Sequence, residues 1–418
     1  MSILVRFRIA AMFAAFVLLS LSASPASKVF AQTVNPGDVI ISEFRFRGPT
    51  VNAALGTDGS MDEYIELYNN TNAPITVTNP DGWAIAAFAP GSNENVTVIQ
   101  IVAFVPNGTV IPARGHYLLT NDPGPPTDEV PVPPAFTYSL SGYAQGDQTY
   151  SGDIADDSGI ALFRTANTFA LADRLDAVGF TTSTEPNAAI YREGTPLASP
   201  GANDGQYAFF RRLESGIPQD TNNNASDFVF VSTNGGNYGG VQSTLGAPGP
   251  ENRNSPIQRN ATINASLLDP TVSSSAYPNR ERSTAPVANG ANGILFIRRT
   301  FTNNTGTTVT RLRFRAVDMT TLNSPNVHGG LAQADMRILQ SAGGGLSSAD
   351  GQFIFGVEGT RVETPPAQPN GGGLNSSVTV DIPGDGQLLP GESINVEFAL
   401  GVQSGGKFRF LVNVEALP

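Results

Sequence analysis

The chain of 418 residues contains no cysteine. That absence removes a disulfide framework, a thiolate nucleophile, a Cys-bearing zinc site and a lipidated cysteine behind a leader. Whatever folds here must be held by ordinary apolar cores. Histidine is almost missing too: His116 and His328 are the only two. They lie in different halves, so a metal centre needing two or three histidines in one domain is excluded. No Gly-x-Ser-x-Gly elbow, phosphate loop or dinucleotide fingerprint occurs. Gly343–Gly345 and Gly371–Gly373 are not followed by a helix that would aim amides at a phosphate, and they read as loops.

Only one apolar run stands out, from Ile9 to about Leu21, preceded by Arg6 and Arg8. Val29-Phe30-Ala31 before Gln32 has small residues at signal-peptidase spacing, so residues 1–31 read as a cleaved leader, with a retained N-terminal anchor as the alternative. No second run of spanning length follows. The mature chain is therefore expected to carry no transmembrane segment, and to be secreted, periplasmic or at the cell surface. Its length leaves room for two domains of ordinary size.

Charge divides those two halves. Residues 32 to 256 hold 9 Arg or Lys against 24 Asp or Glu, whereas 257 to 418 hold 12 of each. An acidic first half argues against duplex nucleic acid as partner, because phosphate binding is driven by Lys and Arg displacing counterions.

What fills the chain is short strand patterns between turn residues. Val39-Ile-Ile-Ser-Glu-Phe-Arg-Phe-Arg47 places Ile40, Ser42, Phe44 and Phe46 on one face and Glu43, Arg45 and Arg47 on the other. Asp62-Glu-Tyr-Ile-Glu-Leu-Tyr-Asn69 puts Ile65 and Leu67 opposite Tyr64, Glu66 and Tyr68. Further segments follow at 97–104, 115–120, 158–164, 174–180, 207–211 and 227–231, each flanked by Gly, Pro, Asn or Asp. Strand patterns resume at 294–302, 309–317, 378–382, 394–402 and 408–414, the last two reading as a terminal hairpin through Gly401–Gly406. No segment sustains a helical period, so the class is all-β, with two β-sandwich domains.

The opening pair of strands, the short strand and turn leading to Trp83, Ile111-Pro-Ala-Arg-Gly-His-Tyr-Leu-Leu119, Asp157-Ser-Gly-Ile-Ala-Leu-Phe163, Arg174-Leu-Asp-Ala-Val-Gly-Phe180 and the ending Leu245-Gly-Ala-Pro-Gly-Pro250 together resemble the lamin-tail domain. The resemblance runs over about 38–250. It implies an immunoglobulin-like β-sandwich of the kind found in nuclear lamins and in secreted bacterial proteins, where such domains are mostly adhesive or accessory modules. The Pro-rich stretch from 123 to about 151 departs from that pattern and is expected to be an exposed insertion. Phe301-Thr-Asn-Asn-Thr-Gly306 and Leu389-Pro-Gly-Glu-Ser393 resemble the immunoglobulin-like modules of bacterial surface proteins. The organisation is thus a leader at 1–31, a lamin-tail-like sandwich at 36–250, a polar linker at 251–259 and a second sandwich at 260–418.

Four constellations could carry chemistry. Glu43 and Glu66, on neighbouring strands, form a carboxylate pair of the type used in glycoside hydrolysis; the simpler reading is structural pairing with Arg or backbone donors. His116 is expected to begin a strand with its ring at the surface, and His328 to lie in a loop. Asp220, Asn222, Asn224 and Asp227 make an oxygen-rich loop that calcium could use, against an Asx-rich turn entering the Phe228 strand; Asp153, Asp156 and Asp157 have the same standing. Arg311, Arg313 and Arg315, with Arg298 and Arg299, give one strand a basic face, suited to an anionic polysaccharide or, more simply, to solvent.

The expected function is a non-catalytic binding or structural protein, adhesive or scaffolding, whose partner is an envelope or extracellular polysaccharide or protein. The rival is an accessory or catalytic part of an extracellular hydrolase or nuclease system. A component of a surface layer is a third reading. No catalytic residue and no cofactor beyond calcium is expected.

Overall fold

A computed structural model describes residues 33–49, 51–52, 57–60, 62–89, 98–121, 145–180, 187–325, 333–363 and 366–417. Among these the fold is all-β; helix is confined to single turns at Leu171–Asp173, Ala188–Tyr191 and Asn224–Asp227. The leader segment, most of the Pro-rich stretch and His328 lie outside the described residues. Gln148–Tyr150, at the end of that stretch, pairs in parallel with His116–Asn121 as a strand.

Two sheets face each other in the first half. One runs, in spatial order, Gln148–Tyr150, His116–Asn121, Tyr64–Asn69, Val39–Arg45, Tyr207–Arg211, Phe228–Ser232 and Thr244–Leu245. The other runs Arg174–Gly179, Gly159–Phe163, Trp83–Ala89 and Val98–Val105. Val39, Ile41, Phe44, Phe46, Trp83, Ile85, Leu162 and Phe209 fill the space between them. Each such side chain contributes about 1.5–3 kcal/mol on burial. Phe209 stacks on Phe230 with ring centroids 4.6 Å apart, and Phe44 on Phe209 at 5.5 Å.

The first strand corrects its simple alternation. A bulge between Ile41 and Glu43 leaves Ser42 without a direct partner. The core face is therefore Val39 and Ile41 before the bulge and Phe44 and Phe46 after it. An extra residue flips every later side chain relative to the earlier ones. The strand is also buried on both faces rather than one.

The second half folds as one continuous sheet bent into two layers. Ile354–Val362 joins them, pairing with Ser377–Val380 in one layer and, in parallel, with Ser393–Ser404 in the other. The first layer also holds Arg311–Met319 and Phe410–Leu417; the second holds Ile294–Asn303, Asp335–Leu339, Ile263–Leu267 and Arg280–Ser283. Phe301, Phe314, Ile338, Val396, Phe398 and Leu400 pack between the layers.

Two expectations fail here. The last two strands do not form a hairpin: Ser393–Ser404 pairs with Ile294–Asn303, whereas Phe410–Leu417 pairs with Arg311–Met319 across the sandwich. Both alternate because both bury one face in the same core, and alternation reports burial rather than pairing partner. Gly343–Gly345 is not loop: Gly343–Ser347 is a strand paired antiparallel with Ile354–Val362.

Residues Thr33–Pro418 group as one compact unit. The outer face of the seven-stranded sheet is covered by the second half: Tyr64, Leu118, Ala208, Phe210, Val229 and Val231 pack with Leu374. The Leu245–Pro250 run threads between them, with Leu374 N–H donating to Leu245 O and Ala247 N–H to Leu374 O. Gly246 is required there, since a Cβ would stand 2.2 Å from the Leu374 carbonyl oxygen. The 251–259 stretch expected as a linker is packed: Glu251 and Ser255 are buried, and Ile257–Gln258 pairs with Phe410–Leu417.

Candidate functional site

Beside the Leu374 contact, the interface turns polar. The bulge at Ser42 and the register of the strands put Glu43 opposite Glu66 on the covered face. Facing them across the interface, Arg311–Met319 presents Arg313 and Arg315, and the adjoining strand presents Asn413 and Glu415. Glu43 is closed by three donors: Tyr64 Oη and Gly249 N–H reach its Oε1 at 2.6 and 2.7 Å, and Asn375 Nδ2 reaches Oε2 at 2.9 Å. Glu66 accepts from Ser42 Oγ, from Glu251 N–H and from His116, whose Nδ1 lies 2.9 Å away.

Arginine occupies the middle. Arg315 reaches Glu251 at 2.9 Å, Glu415 at 3.1 Å and Asn375 Oδ1 at 2.8 Å, and it donates to Gly249 O at 3.0 Å. Arg313 pairs with Glu415 and Glu251. His116 closes the ring, its Nε2 lying 3.0 Å from Glu251 Oε2. Both ring nitrogens thus face carboxylates, and both can donate only in the imidazolium form. Glu66, His116 and Glu251 bring ligand-type atoms within 4.8 Å of one another. The guanidinium groups of Arg313 and Arg315 already supply the positive charge at that point.

The electrostatics follow from burial. Burial, reinforced by the Glu66 carboxylate, pushes Glu43 up to about 7 against the pull of Arg315, Tyr64 and Gly249. Burial also works upward on Glu415, but Arg313 and Arg315 outweigh it and hold that carboxyl below its ordinary value. The cavity left among these side chains is about 30 Å³. That is water-sized and far below the ~300–1,000 Å³ of organic-ligand sites.

A second network surrounds Arg211, which is fully buried. It grips Asp176 with two bonds of 2.8 Å and reaches Asp220 at 3.3 Å and Asp227 at 3.4 Å. Burial, then the Asp176 charge, pushes the adjacent Glu193 up to about 9. Asp176, Glu193 and Asp220 also cluster within 4.8 Å, again around a guanidinium.

The structure places most of the residues singled out in the sequence. Glu43 and Glu66 come together, as strand neighbours held by internal donors. His116 does begin a strand, but its ring is 11 % exposed and wedged between two glutamates rather than at the surface. Arg313 and Arg315 are buried, not a solvated face; Arg311 alone is partly open and pairs with Glu363 at 2.7 Å. Arg298 is likewise buried against Glu397 and Glu281. In the Asp220 loop, Asn224 spends both ends of its amide inside the chain, accepting from Glu193 N–H and donating to Ala177 O. Asn222 adopts a left-handed backbone, and Asp227 accepts from Thr221, Asn223 and Gln219. Glu251 and Glu415 were missed. Neither sits in a motif; a charged residue inside a clean apolar alternation, as at Glu415 between Val414 and Ala416, is the only trace they leave. Compared with protein-family models and with curated proteins, the chain matches none.

Proposed function

We propose that this chain is a non-catalytic binding and scaffolding protein of the lamin-tail type, secreted or envelope-associated, in which two sandwiches present one rigid surface to an extracellular polysaccharide or protein. The observation that carries it is the closure of the Glu43–Glu66 site. Hydrolysis of a glycoside needs a carboxylate pair flanking room for a sugar and a water. Here every carboxylate of the pair is engaged by chain donors, and the cavity of about 30 Å³ admits no sugar ring. Such a seam fixes the relative position of two binding faces, which is what a scaffold needs. The test is turnover of envelope polysaccharides, peptidoglycan, phosphoesters and DNA by the purified chain, alongside a binding screen against the same polymers. Binding without turnover supports the reading. Turnover that vanishes in Glu43→Gln or Glu66→Gln would restore the hydrolase alternative.

A further inference from the structure

We propose that the second sandwich binds a small amphipathic carboxylate, an aliphatic or aromatic body carrying one anionic end, in an open cleft at its edge. The cleft, with a volume of about 430 Å³, lies between the Arg280–Ser283 strand and the Gly405–Phe408 connection. This is within the ~300–1,000 Å³ range of small-molecule sites.

Strand register supplies its chemistry. Arg280 stands opposite Ile297 and Arg282 opposite Leu295. Leu295 in turn faces Leu400, and Met336 faces Val402. Directly paired residues project to the same side of a sheet. The two arginines therefore share the face of Leu295, Ile297, Phe398 and Leu400, where the core is built, together with Arg299 opposite Val396. Leu295, Ala334, Met336 and Val402 form the floor, each buried, with Phe408 at the side.

The charge at the rim is uncompensated. Glu281 is committed to Arg298 at 2.9 Å, and Asp335 to Arg337 at 2.7 Å. Arg282 is folded back onto the main chain, donating to the carbonyls of Asn292, Ser283 and Ile294. Arg280 has no side-chain hydrogen bond or ion pair among the described residues. Lys407, the single lysine between residues 33 and 418, is exposed in the same connection. An inward-pointing charge on an edge strand can serve simply to prevent sheet-to-sheet pairing. That role needs no open volume above a buried apolar floor, and here there is one. A carboxylate on Arg280, with its hydrocarbon on Leu295, Met336 and Val402, satisfies both halves of the site.

The experiment is calorimetric titration of the purified chain with decanoate, 1-naphthoate and decyltrimethylammonium, all below micelle-forming concentration. Saturable one-site binding of a carboxylate, at least about tenfold tighter than the cation, is expected. Arg280→Gln should weaken it about tenfold and Arg280→Lys should retain most of it. Equal affinity for anion and cation, no saturable heat with either carboxylate, or unchanged binding in Arg280→Gln would overturn the proposal. The comparison of anion with cation uses the unmodified chain, so it stands even where a variant folds poorly.

Discussion

Glu43 and Glu66 stand directly opposite each other on adjacent antiparallel strands, each no more than 3 % exposed. Like charges in that position repel. Burial and this repulsion together raise Glu43, while Arg315 lies 3.9 Å from Glu43 and His116 2.9 Å from Glu66.

This pairing makes stability depend on pH in a definite direction. With its folded-state value raised from 4.5 to about 7, Glu43 holds a proton in the folded state that the unfolded chain releases. Its contribution is fully present below pH 4.5 and is lost as pH rises towards 7. Urea unfolding of the wild type and Glu43→Gln between pH 4.5 and 8 should show that the wild type loses up to about 3 kcal/mol more than the variant over that window. Glu193 titrates in both proteins and cancels. Parallel pH profiles would remove Glu43 as the source.

Arg315 is the shared cation of Glu43, Glu251 and Glu415. Arg315→Ala leaves those carboxylates in the seam without it, and loss of one partner of a buried pair costs about 3–5 kcal/mol. Chemical denaturation should read a loss of that size. Arg315→Lys should recover only part, because an ammonium cannot reproduce the fork that reaches Asn375 and Gly249 as well as Glu251 and Glu415. A loss under ~1 kcal/mol, typical of an exposed pair, would mean that water reaches the seam.

The β class and most strand positions were legible because short apolar runs stand between turn residues: Tyr207–Arg211 and Phe228–Ser232, buried on both faces, needed no more than that. Three things were not legible. Ser42 gives no sign of the bulge, since an extra residue changes register without changing composition. Ser393–Ser404 and Phe410–Leu417 alternate alike, and nothing local states that they belong to opposite layers. Arg313, Arg315 and His116 read as solvent-facing because charge ordinarily is; that a second sheet covers them depends on partners such as Glu251 and Glu415, distant in sequence from Glu43 and Glu66.

Trp83, the only tryptophan, is buried in the core of the first half. Its fluorescence therefore reports that half alone, while the far-ultraviolet dichroism reports strands throughout. Because residues 249–258 are gripped from both sides by Glu43, Glu66 and the Phe410–Leu417 strand, the two signals should trace one coincident transition. Limited proteolysis should likewise spare the 250–260 window. Early cleavage there, or two separated transitions, would show halves that fold independently.

The Asp220 loop gives the last prediction. Asp227 is fully buried and accepts from Thr221 N–H at 2.9 Å, Thr221 Oγ1 at 2.7 Å and Gln219 Nε2 at 3.0 Å. Burial works to raise its carboxyl, but these donors prevail and hold it below its ordinary value. It therefore stabilises the fold above its unfolded-state value and loses that contribution on acidification through the lower folded-state value. Asp227→Ala strips those donors of their acceptor and leaves Arg211 with one fewer counter-charge. The cost should be about 2–4 kcal/mol, since each orphaned buried donor carries its own desolvation penalty. Asn224 is already spent on Glu193 and Ala177, and Asp220 lies against Arg211, so these side chains are arranged for the chain's own donors rather than around a shared cation. Millimolar-range calcium added after chelation, at constant ionic strength, should leave the melting temperature of the wild type unchanged. A rise present in the wild type and absent in Asp220→Asn would instead assign a calcium ion to this loop.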